Sequence, residues 1–334
     1  MIIQTLKESG LRGRGGAGFP TWQKWQMVKD APVAVGQPSP DGRGDKKYVV
    51  CNVSEGEPDV FKDAWLLEKD SQAVVDGIAL AMEAVGAQKG YIYLRKDYFD
   101  KYKNKLKKII ASKPIELFRE PCGYLGGEET TLLESIEGNR CEPRIKPPFP
   151  PQVGLFGCPT LINNLETIYY AAKIAKNEYK GERLYCISGD VKNKGVFEYP
   201  ADWTIDKVLK ESQNYPERLF FVQAGGGGSG TIMLQNELDV PLSGVGAIIV
   251  HDWQNIDPQD LMKQWIDFFI AENCGKCVPC REGVYRLRDI INQPVVDLVK
   301  MKEILAVLLD TSFCPFGRGV ASAFGSLIAK IPID

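Results

Sequence analysis

The sequence predicts a mainly α/β protein of three domains, indicated by three successive hydrophobic patterns along the chain. Residues 1–176 alternate short apolar strands with helical stretches, which is typical of a layered α/β domain. Residues 177–252 change to strands and turns around one short helix, a pattern that suggests a small β-grasp-like domain. Residues 253–334 return to helical spacing, which predicts a small helical bundle.

Buried strands and long helices define the first domain. Residues 47–52 and 91–95 are rich in β-branched and aromatic side chains and predict strands, whereas residues 59–87 have the apolar spacing of a helix. Residues 143–151 are rich in proline, so we expect an extended crossing over the surface. A helix is predicted to follow at residues 160–176.

The second domain contains short strands and a glycine run. Residues 184–189, 195–199 and 219–222 predict strands, and a short helix is predicted from Thr204. Residues 225–230 consist of five glycines and one serine. Such a run is either a flexible linker or backbone that approaches another group closely, and the sequence leaves both interpretations open.

Composition excludes several classes of protein. The chain has 334 residues, 44% of them hydrophobic and 25% charged, and its net charge of −2 gives no sign of a nucleic-acid-binding surface. The N-terminus lacks the pattern of a signal peptide, and no apolar run approaches the about 20 residues that span a bilayer. We therefore expect a cytoplasmic protein with no nucleic-acid partner and no direct membrane insertion.

Most isolated cysteines and the single histidine are expected to be structural. His251 follows an apolar run at a predicted strand end, and one histidine excludes most histidine-based metal and triad chemistry. In a reducing compartment, scattered cysteines are expected to be buried thiols rather than disulfides. These cysteines are Cys51, Cys122, Cys141, Cys158 and Cys186.

The remaining cysteines form the most specific pattern in the chain. Cys274, Cys277 and Cys280 are spaced by two residues, and Cys314 lies directly before a proline. Three thiolates at consecutive gaps of two, with a distant Cys-Pro, are typical of an iron–sulfur cluster. A structural zinc site is the alternative, although such sites usually pair two Cys-x2–4-Cys knuckles. Electron transfer is therefore the first functional hypothesis.

Three polar loops of the first domain are candidates for holding a cofactor. Residues 11–21 combine glycines and arginines before a helical stretch, which favours a phosphate-bearing ligand. Residues 51–58 lie at the carboxyl end of a predicted strand, where open α/β sheets bind ligands, and residues 123–131 place small residues and carboxylates before a helix. Alternatively, these segments are an ordinary surface loop and two acidic helix starts.

Several motifs together resemble a known family. They are Gly-Leu-Arg-Gly-Arg-Gly-Gly-Ala-Gly-Phe-Pro-Thr, Gly-Glu-Glu-Thr, Lys-Pro-Pro-Phe-Pro, Pro-Thr-Leu-Ile-Asn-Asn-Leu-Glu-Thr and Cys-Gly-Lys-Cys-x-Pro-Cys-Arg-Glu-Gly. In this order, they resemble the flavin-bearing, NADH-oxidising subunit of respiratory complex I and its relatives in NAD-linked hydrogenases and formate dehydrogenases. The chain departs from the family pattern at Trp22, Ser54 and Asp59, where the family usually has Gly, Asp and Gly.

The resemblance implies a fold, three cofactors and their ligands. It implies a Rossmann-like FMN domain, a β-grasp domain and a C-terminal four-helix bundle carrying one [4Fe-4S] cluster bound by Cys274, Cys277, Cys280 and Cys314. The residues implied for FMN are Gly13, Arg14, Gly15, Gly16, Lys24, Asn52, Glu55, Tyr124, Gly127, Asn163 and Asn164. The residues implied for NAD(H) are Phe19, Glu57, Glu128, Glu129, Lys146 and Phe149.

The leading functional hypothesis is an NADH dehydrogenase-type enzyme subunit. NAD(H) would exchange a hydride with FMN, a reaction that depends on alignment more than on an acid or base. Electrons would then pass singly through the cluster to partners, which the resemblance implies are a thioredoxin-like [2Fe-2S] subunit and a further iron–sulfur or catalytic subunit. One alternative is an FMN and iron–sulfur relay that does not bind NAD(H) productively, and another is a scaffold with a structural metal.

Overall fold

The computed structural model describes residues 1–32 and 46–333. Contacts divide the chain into two compact units, the first comprising Met1–Gly56 and Phe61–Glu182, and the second comprising Glu57–Val60 and Arg183–Asp334. No helix among the described residues is long and apolar enough to cross a membrane.

Helices and strands alternate along the first unit. In chain order they are α1 Ile2–Glu8, α2 Thr21–Asp30, β1 Tyr48–Val53, α3 Lys62–Val85, β2 Lys89–Leu94, α4 Lys96–Ile110, β3 Ile115–Arg119, α5 Glu129–Ile136, β4 Thr160–Asn164 and α6 Leu165–Ala175. The strands predicted at residues 47–52 and 91–95 are present as β1 and β2, and the helix predicted at residues 59–87 is present as α3.

The first unit is built on a four-stranded parallel sheet. Its strand order is β3-β2-β1-β4, with Tyr48 paired to Lys89 on one side and to Thr160 on the other. α3 and α4 make the crossovers between parallel strands, and α3 also packs against α6. Because parallel strands need long crossovers, the alternating sequence pattern leads to this arrangement. The predicted α/β class is therefore confirmed.

The helix predicted at residues 160–176 is wrong over its first five residues. Thr160–Asn164 is strand β4, whose residues pair with β1, and the helix α6 begins only at Leu165. The Asn164 side chain accepts a hydrogen bond from the Glu166 amide at 2.9 Å and so caps α6. Sequence periodicity could not separate the two elements, because a run of five residues is too short to distinguish a strand from a helix start.

The second unit contains a mixed sheet and five α-helices among its described residues. In chain order its elements are β5 Glu182–Gly189, β6 Gly195–Pro200, α7 Ile205–Glu211, β7 Phe220–Ala224, β8 Thr231–Leu234, β9 Ala247–Asp252, α8 Pro258–Ala271, α9 Val278–Ile291, α10 Leu298–Thr311 and α11 Pro315–Lys330. All three predicted strands are present as β5, β6 and β7. The short helix is also present, and Thr204 caps it through its hydroxyl.

The mixed sheet has the order β6-β5-β9-β7-β8. β5 pairs parallel with β9, whereas β7 pairs antiparallel with both β9 and β8. His251 lies in β9 with its ring 5.0 Å from that of Phe221, and burial lowers its pKa to about 4. Helices α8 to α11 pack in sequence, each against the next, and α11 also packs against β8.

The glycine run at residues 225–230 approaches other groups closely. A Cβ on Gly227 would lie 2.5 Å from the Pro58 carbonyl oxygen, and a Cβ on Gly228 would lie 2.5 Å from the Phe268 ring. Gly226 has φ of 137°, a conformation that favours glycine. The close-approach interpretation therefore applies to this run, rather than the flexible linker.

The prediction that all scattered cysteines are thiols is wrong for two of them. Cys122 and Cys141, 19 residues apart, form a disulfide with a Cα–Cα distance of 5.7 Å. Cys51, Cys158 and Cys186 are buried thiols, as predicted. Sequence spacing did not reveal the pair because Cys122 and Cys141 lie on opposite sides of α5 along the chain, and the fold brings the two ends of this segment together.

Candidate functional site

The glycine loop before α2 is closed on itself. The Gly13 amide donates to the Phe19 carbonyl at 2.8 Å, and Arg12 Nε donates to the Gly18 carbonyl at 2.7 Å. Gly16 and Gly18 have φ of 112° and 60°, in the left-handed region where a side chain is strained. The small residues thus allow a tight loop that ends directly at the start of α2.

Arg14 contacts its own unit rather than projecting freely from the loop. Its guanidinium donates to the Tyr179 hydroxyl at 3.2 Å and to the Glu182 carbonyl at 3.1 Å. Its backbone amide donates to Thr167 Oγ1 at 2.9 Å, on α6. These bonds hold the loop against α6, so the loop has a defined conformation before any ligand binds.

The end of β1 contacts the loop that contains Tyr124–Gly127, a 3-10 helix. Asn52 Nδ2 donates to the Gly127 carbonyl at 2.9 Å, and its Oδ1 accepts from the Ser54 amide at 3.0 Å. A Cβ on Gly56 would lie 2.7 Å from the Cα of Tyr124, so the two loops are in close contact. The structure therefore brings together the predicted residues Asn52, Tyr124 and Gly127.

Glu55 stabilises the start of α3. Its carboxylate accepts from the Asp63 amide at 3.0 Å and from the Tyr98 hydroxyl at 2.9 Å. Burial, and then the charge of Asp63, raises the pKa of Glu55 to about 7, although Lys62 opposes the change. The interpretation of residues 51–58 as an acidic helix start thus describes what Glu55 does in the protein itself.

The paired asparagines at the end of β4 connect three helices to the sheet. Asn163 Oδ1 accepts from Trp25 Nε1 at 2.9 Å, which holds α2. Asn164 caps α6 through Glu166 and also donates from Nδ2 to Asp63 Oδ2 at 3.0 Å, at the start of α3. Both side chains lie at the carboxyl end of the parallel sheet, where open α/β sheets bind ligands.

Two lysines neutralise the acidic pair at the start of α5. Lys146 Nζ lies 2.9 Å from Glu128 and 3.3 Å from Glu129, and Lys24 Nζ lies 3.1 Å from Glu129. Glu128 also caps α5 by accepting from the Thr131 amide at 2.8 Å. Burial alone would raise the pKa of Glu129, but the two lysines hold it below its ordinary value. The predicted residues Lys24, Glu128, Glu129 and Lys146 are therefore one ionic cluster.

The aromatic and acidic residues predicted for the dinucleotide differ in exposure. Phe19 is 42% exposed and Phe149 is 46% exposed, so both rings have faces open to a ligand. Glu57 belongs to the second unit and is buried. Its carboxylate accepts from the Gly228 amide at 3.0 Å and from the Ser229 hydroxyl.

The shape of the first unit's loops fits a ligand with hydroxyl groups. A Cβ on Gly15 would lie 3.1 Å from the Asn164 Cβ, and a Cβ on Gly127 would lie 3.1 Å from the Ser54 carbonyl oxygen. The Ser54 hydroxyl is buried and has no hydrogen-bond partner among the described residues. The two glycines let these loops pack closely, and the unsatisfied Ser54 hydroxyl is compatible with a hydroxyl-bearing ligand such as the ribityl chain of a flavin.

The four clustered cysteines lie around two helix starts. Cys277 is the N-cap of α9, Cys280 lies in its first turn, and Cys314 is the N-cap of α11. Neither cap is closed by a side-chain hydrogen bond, so two helix N-termini with their positive dipole ends are available to an anionic group. Burial raises the pKa of Cys280 to about 12, with further contributions from the charges of Cys277, Cys314 and Cys274.

The four clustered cysteines supply the ligand type that an iron–sulfur cluster needs, since such clusters are held by cysteine thiolates. No group of three or more His, Cys, Asp or Glu side chains in residues 1–32 and 46–333 is placed to hold one metal ion.

Two further polar groups lie close to this site: Asn273 donates a hydrogen bond to the Cys280 sulfur, and the backbone of Gly317 lies against both Ser312 and Cys280. Neither residue was identified from the sequence, although Asn273 lies one residue before Cys274 and Ser312 lies two residues before Cys314. An isolated Asn or Ser has no spacing pattern that marks it as a neighbour of a metal ligand, so only adjacency to the cysteines could have drawn attention to them.

Two family models match separate segments of this chain, and curated relatives match nearly its whole length. The model of the Nuo51 FMN-binding domain matches residues 6–173, and the NADH-ubiquinone oxidoreductase-F iron–sulfur binding region matches residues 260–333. The F 2 subunit of the NADH-quinone oxidoreductase of Rhizobium meliloti (strain 1021) is 32% identical over 367 residues, covering 96% of this chain and 84% of that protein. The NADP-reducing hydrogenase subunit HndC of Solidesulfovibrio fructosivorans is 33% identical, covering 95% and 71%.

A solved structure has the same fold over nearly the whole chain. The crystal structure of an NAD⁺-reducing [NiFe]-hydrogenase in the air-oxidised state matches with a TM-score of 0.87 and 30% identity, and the match covers 98% of this chain. This chain spans 60% of the length of that hydrogenase chain. Since the family matches extend over the three polar loops of the first unit and the cysteine set alike, the chain belongs to the family of FMN- and [4Fe-4S]-binding subunits of NADH oxidoreductases.

Proposed function

We propose that this chain exchanges a hydride between NAD(H) and FMN and passes electrons singly through a [4Fe-4S] cluster to other subunits. The observation that carries the proposal is the presence, in one chain, of an FMN-binding match and an iron–sulfur match that contains all four clustered cysteines. The names of similar proteins, NADH-quinone oxidoreductase subunits and an NAD⁺-reducing hydrogenase, support the same reaction.

Loops at the carboxyl end of the parallel sheet would hold the flavin. The closed glycine loop, with Gly13, Gly15 and Gly16, would accept the phosphate close to its backbone and to the start of α2. The second side of the site would be formed by Asn52, Tyr124, Gly127, Asn163 and Asn164, and the unsatisfied Ser54 hydroxyl would bind a ribityl hydroxyl. Arg14, Lys24 and Glu55 would act mainly by fixing the surrounding helices, since their side chains are already bonded within the unit.

The dinucleotide would bind beside the flavin through aromatic and charged groups. Phe19 and Phe149 expose ring faces on which adenine can stack. Lys146 would bind the pyrophosphate by exchanging part of its ion pair with Glu128 and Glu129. Bound FMN supplies the two-electron to one-electron conversion, so the protein itself needs no catalytic acid or base.

The domain layout and the partners are part of this proposal. The parallel-sheet region, residues 1–176, would be the Rossmann-like FMN domain, residues 177–252 the β-grasp domain, and residues 253–334 the four-helix bundle with the cluster. A thioredoxin-like [2Fe-2S] subunit and a further iron–sulfur or catalytic subunit are the proposed neighbours. A cytoplasmic location stays a prediction.

An anaerobic titration tests the proposed reaction. Purified, cofactor-loaded protein is titrated with NADH and separately with NADPH while flavin and iron–sulfur absorbance are recorded. We expect NADH to bleach both chromophores. If neither nucleotide reduces the flavin although dithionite does, the chain is instead an FMN and iron–sulfur relay without productive NAD(H) binding.

A matched pair of variants tests the dinucleotide face. Phe149→Ala removes a ring that is 46% exposed, whereas Val153→Ala shortens a nearby side chain that is 44% exposed. Loss of one stacking contact of about 1 kcal/mol should raise KM for NADH about fivefold in the first variant and leave it unchanged in the second. Equal KM values would contradict the assignment of Phe149, provided that both variants retain flavin.

A further inference from the structure

The amide of Asn273 is aimed at one of the cluster cysteines. Its Nδ2 donates to Cys280 Sγ at 3.3 Å, while its Oδ1 accepts from the Gly275 amide at 2.7 Å. Because a backbone N–H can only donate, the oxygen of Asn273 must face Gly275 and the NH₂ group must face the sulfur. The donor is therefore oriented before any cluster binds, and the left-handed φ of 72° at Gly275 allows the tight turn that holds it.

Ser312 is a second polar group at the same corner of the cysteine set. It is 3% exposed, and its hydroxyl has no hydrogen-bond partner among the described residues. The backbone of Gly317, in the first turn of α11, lies against both Ser312 and Cys280, since a Cβ there would overlap the serine hydroxyl and lie 3.3 Å from the cysteine Cβ. A buried hydroxyl without a partner costs free energy, so a sulfur acceptor would satisfy it.

We propose that Asn273 and Ser312 are positioning residues that raise the reduction potential of the [4Fe-4S] cluster by donating hydrogen bonds at its Cys280 corner. The inference rests on the proposed function insofar as the cysteines hold that cluster. A reduced cluster carries one more negative charge than the oxidised cluster, so hydrogen bonds to its sulfurs stabilise the reduced form more. The two donors thus make the cluster a better acceptor for electrons that leave the flavin.

Variants of the two donors separate this role from simple support of the loop. Asn273→Asp keeps an oxygen for the Gly275 amide but removes the donor, Asn273→Ala removes both, and Ser312→Ala removes the hydroxyl alone. Asn292→Ala, at the opposite end of α9, is the matched control. Ser312→Thr restores a hydroxyl and should restore the wild-type potential.

The experiment is an anaerobic redox titration of each cofactor-loaded protein, in which the EPR signal of the reduced cluster is measured together with iron and sulfide content. We expect the midpoint potential to move to more negative values in Asn273→Asp, Asn273→Ala and Ser312→Ala, and further in the Asn273→Ala/Ser312→Ala double variant. The control should match the wild type. An unchanged midpoint in both Asn273→Asp and Ser312→Ala, at full iron content, would overturn the inference.

The same titration distinguishes failure of this inference from failure of the proposed function. If the wild-type protein, reconstituted with iron and sulfide, shows no EPR signal of a reduced cluster, the proposed function fails with it. If the wild-type cluster is present and the variants load fully but titrate identically, only the role of the two donors is refuted. If Asn273→Ala loses iron but Asn273→Asp keeps both iron and potential, Asn273 supports the loop and does not tune the cluster.

Discussion

Replacing Lys62 with methionine should destabilise the protein by about 3–5 kcal/mol, because it leaves buried carboxylates without their cation. Lys62 is 2% exposed, and its ammonium lies 2.6 Å from Asp63 and 3.3 Å from Glu166, which are 1% and 0% exposed. Burial lowers the pKa of Lys62, but the carboxylates Asp63, Glu166 and Glu55 raise it, and the net result is a pKa above its ordinary value. The lysine is therefore charged, and it balances the acidic start of α3.

The expected magnitude follows from the distances and the burial. Two opposite charges about 3 Å apart attract by about 5–6 kcal/mol at an effective dielectric constant of about 20. Loss of the ammonium also removes its own desolvation cost, which offsets part of that attraction. Methionine keeps most of the apolar volume, so little of the effect should come from a cavity.

Urea unfolding of the cofactor-loaded wild type and variants measures the change. Lys101→Met is the matched control, because Lys101 pairs with Glu68 at 2.8 Å but both side chains are more than half exposed. We expect the control to unfold with the wild-type midpoint. The destabilisation by Lys62→Met should become smaller as pH is lowered from 8 to 5, since the carboxylates that have lost their cation can then be protonated. A Lys62→Met midpoint equal to that of the control at pH 8 would refute the reasoning.

Three further predictions concern the first unit. The pKa of Glu55 is raised to about 7 from an ordinary 4.5, so the native state binds more protons than the unfolded state between these values. The free energy of unfolding should therefore fall by up to about 3 kcal/mol as pH rises through that window. Glu55→Gln should reduce this dependence of the free energy of unfolding on pH. A pH dependence equal to that of the wild type would contradict the role of Glu55. Cys122→Ser and Cys141→Ser each open a crosslink between residues 19 apart, so each should lower the free energy of unfolding by about 3 kcal/mol. Each variant should lower the thermal transition temperature as much as a reductant lowers that of the wild type. A wild-type transition that a reductant does not change would contradict this role of the disulfide. Gly77→Ala should lower the free energy of unfolding by about 1–3 kcal/mol, although alanine favours helices. The reason is that a Cβ at this position would overlap the Ile168 carbonyl where α3 packs against α6. A urea midpoint above that of the wild type would contradict this packing argument.

Elements with a strong local pattern could be predicted from the sequence. β1 and β2 are mostly buried apolar residues, and α3 keeps helical spacing on both sides of a break at Asp70, so each follows from periodicity. Thr160–Asn164 could not be assigned in this way, because its state depends on pairing with β1 rather than on its own residues. Similarly, the disulfide between Cys122 and Cys141 depends on how the chain returns after α5.

The sequence predicted the cysteine ligands of the candidate cluster but not the polar groups beside them. The spacing of Cys274, Cys277 and Cys280 specifies a thiolate ligand set directly, since ligands so close along the chain must also be close in space. The polar groups next to these ligands, Asn273 and Ser312, have no such local signature. Their roles become visible only where side chains from separate helices meet.

Local pattern alone determined the α/β class, most strands and helices, and the iron–sulfur hypothesis, because periodicity and cysteine spacing act over a few neighbouring residues. FMN and NAD(H) were implied by the resemblance of several motifs, taken together, to a known family. Tertiary structure decided which charges are buried together, as with Lys62 and Glu166, which lie far apart in the chain. It also decided that Glu55 caps a helix, that Glu129 is paired with two lysines, and that a glycine run is packed rather than loose. The physical reason is that burial, pKa and hydrogen-bond direction depend on neighbours in space, which only the folded chain defines.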